Sequence, residues 1–140
     1  MNNLKKIHIG ILIKKRVEEL QISISRISNF FKCTADEILN MYESEMISTD
    51  LLLKWSKLLK YDFFRLYSHH LILFAPPAGN NIQKKISSEL PQFRKHIYTR
   101  EIIDFILELI NTGQKTKIQV IEEYGIPRTT LYKWIYKYNN

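Results

Sequence analysis

The chain has 140 residues, a net charge of +7, 45% hydrophobic and 12% aromatic residues, and a single cysteine, Cys33. This composition supports packed cores rather than disorder, and the lone cysteine excludes an intramolecular disulfide and suits a reducing cytosol. No apolar run reaches the roughly 18 residues of a membrane span, and Ile7–Ile13 is interrupted by His8 and followed by Lys14-Lys15-Arg16, unlike a signal peptide. A cytoplasmic protein without a membrane partner is the expectation.

Four Gly and four Pro suit an all-α fold. The chain reads as two small helical helix-turn-helix modules, residues 1–74 and 98–140, joined by a Pro/Gly-containing linker over 75–97. The first module reads as about five helices. Ile9–Leu20 comes first, with Ile9, Leu12, Ile13, Arg16, Val17 and Leu20 near one face. Ser23 caps a helix through Phe31, and Thr34 caps another to about Tyr42, with Glu37 completing a capping box. Thr49 or Ser48 caps Asp50–Leu59, and Asp62 opens Phe63–Leu73.

Ala75-Pro-Pro-Ala-Gly-Asn-Asn81 is a strong breaker cluster, and Pro91 interrupts the chain again before His96. The linker carries Lys84, Lys85, Arg94 and Lys95 against Glu89 alone, a balance suited to phosphates or to a solvated tether. Beyond it, Thr99 is the expected N-cap of a helix whose stripe is Ile102, Ile103, Ile106, Leu107, Leu109 and Ile110, ended by Gly113. Thr116 and Gln119 form a second capping box, and Val120, Ile121 and Tyr124 make the buried side of the helix that follows. Gly125 ends it, and Pro127 fits the first turn of the last helix. There Leu131, Trp134, Ile135 and Tyr138 recur at i, i+3, i+4, i+7 as an inward face.

That last segment carries the candidate function. From Pro127 to Asn140 there are three cations, Arg128, Lys133 and Lys137, and no acid. Arg128, Thr129, Thr130, Tyr132, Lys133, Tyr136 and Lys137, with Lys115 and Lys117 ahead of them, are the candidate DNA-binding residues. A cationic, hydroxyl-bearing helix held by its predecessor is the device that enters a major groove, with its N-terminal residues at base edges. Arg128 is the expected guanine contact, and Lys133 or Lys137 the expected phosphate contact.

Gln21-Ile-Ser-Ile-Ser-Arg-Ile-Ser-Asn-Phe-Phe-Lys-Cys-Thr34 resembles the first helix-turn-helix half of lambda-repressor-like regulators, and Leu51–Phe64 resembles the helix that follows it there. Tyr98-Thr-Arg-Glu101 through Tyr-Gly-Ile-Pro-Arg-Thr-Thr-Leu-Tyr-Lys-Trp134 resembles the helix-turn-helix of insertion-sequence transposases. In this order the modules, with Tyr-Asp-Phe-Phe-Arg-Leu-Tyr-Ser68 before the linker, are similar to a small transposase-like family of Bacteroidetes bacteria. The resemblance implies DNA binding tied to a transposable element or to transcription regulation. The first module departs from its pattern. Ile24 stands where a polar residue, often Gln, begins the second helix, and the expected reading helix opens Ala35-Asp36-Glu37. Cys33–Leu53 holds five acids and no Lys or Arg, a charge that phosphates repel. This module is therefore expected to pack or pair, leaving Lys5, Lys6, Lys14, Lys15 and Arg16 as a secondary basic patch.

No catalytic residue, metal site or cofactor is expected. A catalytic transposase needs three separated carboxylates holding two metal ions, and the acids here read as caps or surface positions. His69-His70 are adjacent rather than at the i, i+4 spacing of zinc ligands, and no Gly-rich phosphate loop is present. The expected function is non-catalytic binding of double-stranded DNA. The alternative is an interaction module, with a homodimer or a basic partner on the acidic first module and incidental DNA affinity; a catalytic recombinase ranks last. The cluster Phe63, Phe64, Leu66, Tyr67, Ile72 and Phe74 is left open between a dimer surface and core packed on the 99–112 helix.

Overall fold

The computed structural model describes residues 2–75, 89–91 and 98–139, and the regular structure among them is helical throughout. Lys84, Lys85, Arg94 and Lys95 of the expected linker lie outside the described residues. Among the described residues no helix is long and apolar enough to cross a membrane. The chain divides after His70 into two compact units.

The first unit begins with the short α1 (Asn2–Lys5) and continues through α2 (Ile9–Leu20), α3 (Ile24–Phe31), α4 (Ala35–Glu43), α5 (Thr49–Leu59) and the start of α6 (Phe64–Phe74). Hydroxyl caps start three of these helices. Ser23 accepts from the Arg26 N–H at 3.4 Å, and Ser48 accepts from the Leu51 N–H at 3.3 Å. Thr34 and Glu37 form the reciprocal box, with the Thr34 N–H donating to Glu37 at 2.8 Å. Asp62 Oδ1 accepts from the Phe64 N–H at 3.1 Å, so α6 starts one residue later than its apolar run predicts. The run of helix starts gives each element a fixed entry, and the apolar stripes then meet. Ile9, Ile13 and Val17 pack with Ile27, Ile38, Tyr42, Leu52, Leu59 and Phe63 around Trp55, which is fully buried. The Trp55 ring lies 4.5 Å from Phe31 and 6.0 Å from Tyr42.

The start of α2 is made differently. The Ile9 and Gly10 N–H groups donate to the Glu45 and Ser44 carbonyls at 3.2 and 3.1 Å, while His8 Nδ1 accepts from the Ile11 N–H at 3.3 Å. Orphan donors at a helix start are thus satisfied by the backbone that leaves α4. Such an approach requires Gly10: a methyl group there would lie 2.3 Å from the Tyr42 carbonyl oxygen and 2.4 Å from that of Met41. His70 Nδ1–H donates to the Leu4 carbonyl at 2.7 Å and ties α1 to α6.

The aromatic cluster left open by the sequence is mostly core. Phe63 is buried in the first unit, with Phe64, Leu66 and Tyr67 packed against it. Phe74 instead meets Phe105 in the second unit, ring centroids 5.6 Å apart.

Candidate nucleic-acid interface

The second unit holds α7 (Arg100–Asn111), α8 (Lys117–Tyr124) and α9 (Arg128–Tyr138), with the last turn of α6. Its core is Ile102, Ile103, Ile106, Leu107 and Leu109 of α7, Val120 and Tyr124 of α8, and Leu131 and Trp134 of α9. Ile126 is buried between the last two helices, so the α8–α9 turn is anchored and not merely short. The Tyr124 hydroxyl donates to the Leu73 carbonyl at 3.3 Å.

Local chemistry sets the hairpin. The Thr116 N–H donates to Gln119 at 2.8 Å and the Gln119 N–H returns a bond to Thr116 Oγ1 at 3.2 Å. Gly125 takes φ 61°, the left-handed value that glycine adopts without steric cost. Pro127 precedes the first helical residue as N-cap, one position earlier than predicted, and its carbonyl accepts from the Leu131 N–H at 3.1 Å. Thr99 occupies the N-cap position of α7, but its hydroxyl makes no capping bond. At the far end, Asn111 and Asn139 exchange two amide bonds of 3.1 Å, fixing the end of α9 to the end of α7.

Packing Leu131 and Trp134 inward leaves Arg128, Thr129, Tyr132, Lys133, Tyr136 and Lys137 exposed, with Thr130 half-buried. Lys117 Nζ and the Arg128 guanidinium lie 5.3 and 5.5 Å from the Tyr132 ring centre, on cation–π terms that gather two cations about one exposed aromatic. Lys115 is not part of that group. Its ammonium is paired with Glu123, and that hydrogen bond raises its pKa. It therefore carries an internal counter-ion, which the sequence spacing did not reveal.

One contributor was missed from the sequence. The Arg100 guanidinium stacks over Tyr138 at 3.9 Å and bonds Asp104 at 2.9 Å. The i, i+4 Arg100–Asp104 pair was legible in the sequence; the Tyr138 contact depends on the α7–α9 packing.

Burial raises the pKa of Tyr42, Tyr67, Tyr98 and Tyr124 above the ordinary tyrosine value. A raised folded-state pKa favours the protonated folded protein, so this contribution is complete below about pH 10 and is lost as pH rises through the folded values. The Lys115 pair acts in the same direction. Melting temperature is expected to stay level from pH 8 to about 9.5 and then fall in step with phenolate absorbance; a flat profile through the phenolate transition would contradict the burial of these hydroxyls.

Comparison with protein families, curated proteins and solved structures finds no match to the chain.

Proposed function

We propose that the protein is a non-catalytic binder of double-stranded DNA that reads its site with α9, in the service of a transposable element or of transcription regulation. The observation that carries this reading is the exposed, acid-free side of α9, where Arg128, Tyr132, Lys133 and Lys137 stand clear of the core and Lys117 joins them beside Tyr132. Phosphates favour such a surface because each neutralised contact releases a condensed counter-ion. Arg128 is the first residue of the helix, the end from which helix-turn-helix proteins reach base edges. The resemblance of Tyr98–Trp134 to insertion-sequence transposases points the same way.

Titrating the full chain against a pool of random duplexes at stepped salt concentrations tests the reading. The logarithm of affinity should fall linearly with the logarithm of salt, by about 0.9 for each phosphate engaged, and selection from the pool should enrich one short motif. Weak binding that ignores salt would overturn it. Terminal inverted repeats beside the gene would support the mobile-element context over regulation.

A further inference from the structure

The sequence marks Lys5, Lys6, Lys14, Lys15 and Arg16 as the basic patch of the first unit, and folding neutralises part of it. Lys6 pairs with Glu45 at 3.3 Å, and Arg16 with Glu19 at 3.0 Å. Unbalanced charge lies instead on α5. From Leu51 to Tyr61 there are three cations, Lys54, Lys57 and Lys60, and no acid. Burying Leu52, Trp55 and Leu59 in the core leaves all three lysines exposed, with Tyr61 exposed at the same end. Among the described residues none of the three has an acidic partner, and Asp50, one turn before Lys54, forms no pair with it. The next acid along the chain, Asp62, is held by Arg65 at 3.4 Å. Arg26 of α3 lines the same groove as Lys60 and is likewise exposed.

Helix stability explains only part of this pattern. Lys57 in the last turn and Lys60 at the C-cap suit the negative end of the backbone dipole. Lys54 lies in mid-helix and Arg26 near the start of α3, where the dipole offers a cation no gain. A lipid surface fits poorly, because a membrane-surface helix buries its apolar face in the bilayer. The apolar face of α5 is already committed to the core around Trp55. A duplex needs no such face, since cations on long flexible side chains meet its phosphates and release condensed counter-ions.

We infer that the first unit holds a second DNA-binding surface, formed by Lys54, Lys57 and Lys60 of α5 with Arg26 of α3, which grips the phosphate backbone without reading bases. This surface lies apart from α4, whose exposed Asp36 and Glu43 repel phosphate. It adds affinity for any sequence and selects none. The inference rests on DNA as the ligand, but not on α9 as its reader.

Titrating the full chain against a labelled duplex of random sequence at stepped salt tests this. The triple variant Lys54→Gln, Lys57→Gln, Lys60→Gln keeps three long polar side chains. Gln21 already holds the left-handed C-cap conformation that Lys60 adopts, so circular dichroism and melting should match the wild type. The triple variant's salt slope should be shallower by about 2.7, at about 0.9 for each phosphate no longer engaged. From about 50 to 200 mM salt its affinity should therefore fall roughly 40-fold less than that of the wild type. Each change made singly, and Arg26→Gln, should remove about 0.9 from the slope. Replacing the three lysines by arginine should remove nothing, and the motif selected from a random pool should not change. A triple variant with the wild-type slope overturns the proposal, as does one that selects a different motif. The double variant Arg128→Ala, Lys133→Ala separates this surface from α9. If it binds the random duplex as the wild type does while the lysine variant does not, α9 fails and the α5 surface stands. If only the double variant loses slope, the α5 surface fails and α9 stands. A full chain without salt-dependent DNA binding overturns both, and lysine-dependent binding to anionic vesicles would then give α5 to lipid.

Discussion

Gly10→Ala should destabilise the first unit by about 3 kcal/mol, an overpacking cost and not a loss of contact. Two effects oppose one another. Alanine favours the helix by about 1 kcal/mol over glycine at an ordinary interior site, and that gain alone would make the change stabilising. Against it, the added methyl would lie 2.3, 2.4 and 2.7 Å from the Tyr42, Met41 and Ser44 carbonyl oxygens. These are backbone atoms at the end of α4, and no rotamer change moves them. The chain must instead pull the start of α2 away from α4, which strains the Ile9 and Gly10 bonds to Glu45 and Ser44. Thermal unfolding should register a drop on the order of 10 °C or more for a unit of this size, with faster hydrogen exchange at the Ile9 and Gly10 amides. Ile11→Ala, one residue on at an exposed position, serves as the control and should change little. A Gly10→Ala protein as stable as the wild type would show that α2 and α4 do not approach as described.

The helices were legible because their starts carry chemistry. Ser23, Thr34, Ser48 and Thr116 each cap the helix predicted for them, since a hydroxyl before an apolar period serves one purpose in water. Leu131 and Trp134 were readable as buried from period alone. Less legible was whatever depends on a second element. Gly10 reads in sequence as a helix weak point, and only the α4 carbonyls explain it. Lys115 reads as one more cation near the hairpin, yet Glu123, eight residues away, takes its charge. Three helices of the first unit end on Gln21, Lys32 and Lys60 in the left-handed region without a glycine to announce them. The groove beside α3 belongs to this second group, because Arg16, Arg26 and Lys60 converge only when α2, α3 and α5 pack.

At the candidate interface, Arg128→Ala and Lys137→Ala should separate two kinds of contact that the sequence can name but not rank. Arg128 begins α9, so its loss should cost about 1–3 kcal/mol at the selected duplex and relax preference at one base pair. Lys137 lies in the last turn of the helix, and the proposed reading gives it a phosphate contact. Its removal should weaken selected and random duplexes alike and lower the salt slope by about 0.9. Tyr132→Ala distinguishes a third role. If the ring gathers Lys117 and Arg128, its removal should weaken binding although no charge is lost, while Tyr132→Phe should retain affinity because the ring face remains. Should the double Arg128→Ala, Lys133→Ala protein keep both its affinity and its salt slope, α9 is not the reading helix, and the exposed cations of that face are only solvated charge.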